Sequence, residues 1–456
     1  MTVLFVVAAC GGSTAPPTPA AAQPTPSAPQ ASTQPSTQPS TDTGTASSAA
    51  GPVEITYLVG IAEDPQIDVQ AQAMIQDFND THPNIHVKRE ALDNDQLRTI
   101  IQTRLGSGDV DVFGYDTGPG FGGVLAKAGL VADMGPAQQK YGWKTFDWAK
   151  SRCTYSGVLS CLPGQVEELG VFYNKTLFDA KGIAAPQTLE QFTAAMDKIK
   201  ADKVTPLAFG DQPQWPAGHQ FSMTLSNLVG RAGMDARLYG DAKWNDADSV
   251  RAIDIFFKQF KDAGYLPKDP NAVTYEDANA LFYAQKAAMI PSGTWLVSEI
   301  TDKSKGKFEP NFFPFPAIDG KTVSPPAGLG GGTFVAANSK NKDAAFEFLD
   351  WTISDAVVKK WLLPVFNQIP AQPVDTTGVE VSPLFQIVLD DLAASSGTSS
   401  EFGYNIDVLT PAAFNDQMAT GFQEVLNGTL TPQAQADKLQ AAYEKAMAAG
   451  ETIPKP

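Results

Sequence analysis

At 456 residues the chain is too long for a single hydrophobic core and predicts two lobes of ordinary domain size. It is 43% hydrophobic and 18% charged, and 33 Lys and Arg against 50 Asp and Glu leave a net charge of −17. That acidity, without any basic run, argues against nucleic acid and anionic membrane surfaces as partners. His82, His86 and His219 are scattered without metal-ligand spacing, so no metal and no cofactor is expected, and no stretch approaches the roughly 20 apolar residues of a spanning helix.

Val3 to Ala9 are apolar and run directly into Cys10. Val7-Ala8-Ala9-Cys10 resembles the lipobox of bacterial lipoproteins, in which the signal is cut before a cysteine that then carries acyl chains. The apolar stretch is short and no Lys or Arg precedes it, so residues 1–10 read as a truncated lipoprotein signal whose start lies upstream of Met1. The plainer reading is a coincidental cysteine. Residues 11–52 follow as a tether built almost only of Pro, Thr, Ser, Ala, Gln and Gly, with Asp42 its one charge. Lacking Val, Ile, Leu and aromatic residues up to Gly51, it cannot offset the entropy of ordering and is expected to be disordered, spanning roughly 35 Å as a coil. A mucin-like stalk without an anchor has the same composition.

Ile55 to Val59 reads as a β-branched and aromatic strand. Ile67, Ala71, Met74, Ile75 and Phe78 then repeat at helical spacing, and Ile85 and Val87 alternate as a second strand after Pro83. Leu97, Ile100, Ile101 and Leu105 predict a helix that stops at Gly106, and Val110 to Phe113 a third strand. Alternation of strand and helix is the signature of a parallel sheet with crossover helices. In Cys153-Thr-Tyr-Ser-Gly-Val-Leu-Ser-Cys161, a hairpin turning near Ser156-Gly157 would place the cysteines opposite each other, close enough for a disulfide. Two buried free thiols are the alternative, and two cysteines make only half a zinc site. Gly170 to Tyr173 and Ala287 to Ile290 predict strands, and Thr188 with Gln191 a capping box that opens a helix through Leu189, Phe192, Met196 and Ile199. Gly332 to Ala336 leads into a helix over Asp343 to Ser354, and Thr431-Pro432 starts the last helix through Leu439, Tyr443 and Met447. The chain is α/β throughout, without an internal repeat.

Five segments in order then resemble one family, the bacterial extracellular solute-binding proteins of carbohydrate importers, the class that contains maltose-binding protein. They begin with Phe78-Asn-Asp-Thr-His-Pro83-Asn-Ile85-His-Val87, and with Leu105 to Val112 followed by Ala128-Gly-Leu130. The most specific is Gly170-Val-Phe-Tyr-Asn-Lys175-Thr-Leu-Phe178 with Pro186 to Phe192. Phe282 to Met289 with Gly293-Thr-Trp295, and Gly330-Gly-Gly332 with Asn338 to Leu349, complete the set. The resemblance implies a two-lobed periplasmic-binding-protein-like fold of class II, each lobe a mostly parallel sheet flanked by helices. By analogy residues 53–165 and 295–350 form lobe 1, and 166–294 and 351–456 form lobe 2.

A sugar presents apolar C–H faces and a rim of hydroxyls, so its site needs flat aromatic platforms and fixed polar groups at the edges. Asp116, just past the third strand, matches the family's acidic residue that binds sugar hydroxyls; a turn or N-cap aspartate is the bland reading. Counting back from the Tyr-Asn-Lys match places Glu167 on the family's ligand-contacting glutamate, with Glu168 the lesser candidate and a surface glutamate pair the alternative. Trp295 matches the stacking tryptophan, with Gly293 allowing close approach of backbone to ligand; core packing is its alternative. Trp215 is expected on a proline-flanked loop, Tyr404 as a late aromatic, Gly331 and Gly332 as sources of backbone N–H, and Glu63 as a weaker polar contact. Trp148, Trp244, Trp351 and Trp361 sit in helical or linker contexts and read as packing.

The expected function is therefore that of the substrate-binding component of an ABC importer. It would be a monomer on the outer face of the cell membrane, anchored only by lipid on Cys10, that captures a sugar between its lobes and docks on a permease. Acidic and aromatic residues would also suit a cationic ligand such as a polyamine. A secreted hydrolase using Asp116 and Glu167 as an acid/base pair is a further rival, without a nucleophile motif to support it.

Overall fold

Two β-sheets, each covered on both faces, organise the residues that the computed structural model describes: 51–61, 65–395 (side chains of 393–395 excepted), 403–453 and 455. Cys10, the tether and Glu63 lie outside them.

The first sheet runs Ile85–Leu92, Val53–Gly60, Val112–Asp116, Gly331–Val335 and Leu162–Pro163. Its first three strands are parallel, because the helices Pro65–Thr81 and Asn94–Ser107 return the chain over the sheet between them. Gly331–Val335 enters antiparallel to Val112–Asp116. Side chains alternate between two core layers: Ile55, Val87, Val112 and Val335 pack on one face, and Leu58, Phe113 and Phe334 on the other. This burial on both faces explains the nearly unbroken apolar runs of these strands.

The second sheet runs Pro310–Pro314, Gln165–Asn174, Ala287–Gly293 and Thr205–Leu207, and the short strands Ala327–Leu329 and Ile369–Pro370 also pair with Gln165–Asn174. It is mixed rather than mostly parallel, since Gln165–Asn174 opposes every strand it pairs with and only Thr205–Leu207 runs parallel to its neighbour. That long strand arrives directly from the first lobe at Gly164 instead of through a crossover helix, so nothing requires it to share its neighbours' direction. Leu169, Val171 and Tyr173 fill one layer of the lobe, and Phe172 with Ile290 the other.

Residues 295–350, expected together in lobe 1, divide between the lobes. Pro310–Pro314 pairs with residues 170–174, and its Phe312 and Phe313 enter the two core layers of the second sheet. Only Gly331–Val335 and the helix Lys342–Thr352 return to the first. The chain therefore passes between the sheets at Pro163–Gln165, at Leu329–Gly331 and again between Thr352 and Val358.

Local signals act as the side-chain chemistry dictates. Thr188 accepts from the Gln191 amide at 3.3 Å, while the Gln191 side chain reaches back to Gln187 N rather than to the cap itself. Thr431 caps the last helix with Pro432 at its first turn. The second helix runs past Gly106 to Ser107, and Gly108, with φ 78°, supplies the left-handed residue that ends it. The hairpin Thr154–Tyr155 and Val158–Leu159 turns through Ser156 and Gly157, both at positive φ, and Cys153 and Cys161 are bonded at its base with Cα atoms 5.1 Å apart. Among the described residues no helix is long and apolar enough to cross a membrane.

Candidate functional site

A cleft of about 620 Å³ lies between the two sheets, within the size range of small-molecule sites. Its first wall is made by the end of strand Val112–Asp116, the loop that follows, and the opening turn of helix Asn94–Ser107. Asp116 is the last residue of its strand and does not cap the next helix, whose N-cap is Phe121. Arg98, one turn into its helix, donates Nε and Nη2 to Asp116 Oδ2 at 3.1 and 2.9 Å and lies over the Phe121 ring at 5.9 Å. The Asp116 carboxylate, together with burial of the Arg98 side chain, shapes the arginine: attraction to Asp116 is the larger effect and raises its pKa, ahead of desolvation.

The second wall is aromatic. Trp215 opens the helix Trp215–Leu238, with Pro216 beside it, so it belongs to a first helical turn rather than to the loop expected. His219, one turn on, shares its face. Tyr275 opens another helix, and Trp295 follows the strand Ala287–Gly293. Ring centroids lie 4.5 Å apart for Trp215 and Tyr275, 5.1 Å for Trp215 and His219, and 5.2 Å for His219 and Trp295. Trp295 Nε1 donates to Tyr275 Oη at 2.9 Å, and that oxygen meets Ser292 Oγ at 2.7 Å. Gly293 serves this cluster instead of a ligand, because a Cβ there would lie 1.9 Å from the Trp295 ring.

Carboxyl groups edge the aromatic wall. His219 Nε2 faces Asp407 Oδ2 at 3.4 Å. Glu167 lines the cleft, accepts from Gln165 Nε2 at 2.7 Å, and presses on the crossing strand, where a Cβ at Gly330 would meet its Oε2 at 2.0 Å. Glu167 is pushed up to about 7, chiefly by desolvation, with the Gln165 hydrogen bond and His219 lowering it and Asp116 and Asp407 raising it. Its neighbour Glu168 points the other way along the strand. It is fully buried beside Asp391, and desolvation followed by that carboxyl holds it well above the usual range.

The structure thus brings Asp116, Glu167, Trp215, Trp295, Gly331 and Gly332 to one cleft. Gly331 and Gly332 belong to a strand in register with Asp116 and Tyr115, and Gly332 also faces Pro163, so they form wall rather than a projecting loop. Tyr404 is not in the cleft. It is 2% exposed in the second lobe's core, donates to Asp235 Oδ1 at 2.7 Å, and lies beneath the Arg152 and Arg231 guanidinium groups. Trp244 is fully buried, Trp351 packs edge-on against Phe78, Trp361 donates to Asp77 at 2.9 Å, and Trp148 stacks on Phe146; none of the four lines the cleft.

Arg98, Phe121, His219, Tyr275 and Asp407 also line the cleft, although no sequence pattern assigns them to it. A helical step of four from Trp215 to His219 was the one local signal available; the others depend on which residues tertiary packing brings to the cleft. Ile67, Ala71 and Met74 carry a related lesson. They continue the apolar stripe of helix Pro65–Thr81, yet line the cleft, as the buried Ile75 also does, while Phe78 lies wholly in the core. Among the described residues no group of three or more His, Cys, Asp or Glu is placed to hold a metal.

Comparison with known proteins agrees with this architecture. The chain is 26% identical over 347 residues to the multiple sugar-binding protein of Streptococcus mutans, spanning 72% of this chain and 78% of that one. It is 26% identical over 243 residues to the diacetylchitobiose-binding protein of Streptomyces coelicolor, spanning 51% of this chain and 54% of the relative. The solved structure of a chitin oligosaccharide-binding protein superposes with a TM-score of 0.76 at 24% identity, covering 87% of this chain and 99% of that one, which establishes the fold. The family model described as bacterial extracellular solute-binding protein matches residues 64–359, and the chain belongs to that family.

Proposed function

We propose that this protein captures a neutral sugar or short oligosaccharide in the interlobe cleft and delivers it to the permease of an ABC importer. The observation that carries the reading is the facing of two unlike walls: Trp215, Tyr275 and Trp295 on one, and the Asp116–Arg98 pair on the other. Aromatic rings suit the C–H faces of a pyranose, and the charged pair and Glu167 suit its hydroxyls, with charge-assisted hydrogen bonds at the rim. The names of the relatives, which include multiple-sugar and diacetylchitobiose binders, support the same ligand class. Arg98 beside Asp116 disfavours a polyamine, whose ammonium groups it would repel.

In this reading the open form takes the sugar on one wall, and rotation about the crossings at 163–165 and 329–331 brings up the other. Capture involves no bond chemistry. The working unit is a monomer held to the outer face of the membrane by lipid on Cys10, with residues 11–52 as tether.

A thermal-shift screen of the protein against mono- and oligosaccharides, polyamines and phosphorylated metabolites tests the reading. A saturable rise in melting temperature with one sugar class is the expected result. A rise with polyamines alone would overturn the ligand class, and no rise with any sugar would overturn the function.

A further inference from the structure

The loop after strand Val112–Asp116 carries two cleft residues, Asp116 at its start and Phe121 near its end, yet Gly118, Pro119 and Gly120 between them give it little stiffness of its own. It is held from outside. Thr117, fully buried, donates its N–H and its hydroxyl to Gly330 O, each at 2.9 Å. Gly118, at φ 93°, donates its N–H to the Tyr155 hydroxyl at 2.8 Å. The Tyr155 ring packs so closely beneath the next turn that a Cβ at Gly123 would lie 3.3 Å from it, and one at Gly122 would lie 3.0 Å from its hydroxyl. Tyr155 in turn sits on the hairpin closed by Cys153 and Cys161, and Cys161 Sγ abuts Gly332 of the cleft wall.

We propose that Tyr155 is a positioning residue for ligand capture, and that the disulfide-closed hairpin exists to hold its hydroxyl under Gly118 and so fix Asp116 and Phe121 at the cleft. A disulfide across a short surface hairpin closes a small loop and constrains the unfolded chain least, so global stability is a weak reason for it. Its effect is local. It ties the start of the Thr154–Tyr155 strand to Cys161, which leads directly into Leu162 and Pro163 of the first sheet. The ligand-binding part of the inference rests on the function proposed above; the positioning part does not.

Two variants test it, Tyr155→Phe, which keeps the ring and removes the acceptor, and the double replacement Cys153→Ala with Cys161→Ala. Amide hydrogen exchange of the ligand-free protein, followed by mass spectrometry, is the first readout. Exchange over residues 116–123 should quicken roughly two- to tenfold in Tyr155→Phe, the range for losing one hydrogen bond, while helix Trp215–Leu238 is unchanged. The double variant should show the same local change, with exchange in the second lobe unaltered. Unchanged exchange over 116–123 in both variants overturns the positioning role. Calorimetric titration with N,N′-diacetylchitobiose, raffinose and maltotriose is the second readout. A sugar that binds the parent should bind both variants several-fold more weakly, and equal binding overturns the link to capture. If none of these sugars nor any in the wider screen binds the parent, the proposed function fails, while the exchange result still decides the role of Tyr155.

Discussion

Arg98 places both Nε and Nη2 on a single oxygen of Asp116, at 3.1 and 2.9 Å, where both residues line the cleft. The pair is about one-third exposed on each side, so its net contribution to stability is small, within about 1 kcal/mol. Its effect on ligand capture should be larger, because two hydrogen bonds to one oxygen hold the Asp116 carboxylate in a single orientation at the cleft wall. Arg98→Ala is expected to weaken sugar binding about tenfold and to shift the denaturation midpoint little. Titration calorimetry beside urea unfolding separates the two; equal affinity in the variant would leave Arg98 with a structural role only.

Much of this was legible from residue patterns. Helix and strand periods located most elements, since the long strands of the first sheet carry their own runs of core residues, and helices such as Asn94–Ser107 and Leu189–Ala201 carry their own side-chain caps at Asp93 and Thr188. Asp116 could be found because strand ends in α/β sheets collect ligands, whereas Trp295 could be found only by the resemblance of Gly293-Thr-Trp295 to the family's stacking tryptophan. Arg98 could not, since a basic residue on a helix is ordinarily solvated, and only the packing of helix Asn94–Ser107 brings it to Asp116. Tyr404 misled for the opposite reason: an aromatic beside glycine reads equally as platform or core, and the guanidinium groups that cover it come from residues far away in the chain. The segment 295–330 went to the wrong lobe because strand pairing between distant segments leaves no local trace.

Trp295 joins binding to stability. Its ring packs against both core layers of the second lobe, and its indole N–H is tied to Tyr275. Trp295→Ala is therefore expected to abolish measurable sugar binding and also to cost about 2–4 kcal/mol, less than a wholly buried tryptophan because one face is open to the cleft. Trp295→Phe, which retains a ring but loses the hydrogen bond, should keep most of the stability and lose part of the affinity. Chemical denaturation and titration of both variants check this; an alanine variant of parental stability would place the ring outside the core.

Gly331 and Gly332 differ in what a methyl group would meet. At Gly332 a Cβ would lie 2.7 Å from Cys161 Sγ and 3.1 Å from Leu162 O, whereas at Gly331 the nearest atom is Tyr115 O at 3.6 Å. Gly332→Ala should thus lower stability by about 1–3 kcal/mol through displacement of the disulfide. Gly331→Ala should be nearly silent in stability and perturb sugar affinity alone. Thermal unfolding of the two variants side by side gives the comparison, and equal midpoints would contradict it.

Glu167 makes both stability and capture depend on pH, with opposite signs. Loss of water raises its folded-state pKa from 4.5 to about 7, with Asp116 and Asp407 adding and Gln165 and His219 opposing. Below about 4.5 the carboxyl is protonated whether the chain is folded or not, and it contributes no difference. Between about 4.5 and 7 the folded state holds a proton that the unfolded state has released, so its contribution to stability falls as pH rises and is lowest above 7. Glu167→Gln should remove that penalty, stabilising the ligand-free protein by on the order of 1–3 kcal/mol at pH 8 and by nothing at pH 4.5; the upper figure is a bound, because water in the cleft reaches the side chain. Sugar binding should run the other way. A hydroxyl that donates to Glu167 favours the ionised form, so affinity in the parent should increase from pH 6 to pH 8 and proton release should accompany binding. The glutamine variant should bind more weakly and without that pH dependence. Calorimetry in two buffers of different ionisation enthalpy counts the protons directly, and a parent protein that takes up protons on binding would show that Glu167 meets its ligand as a donor instead.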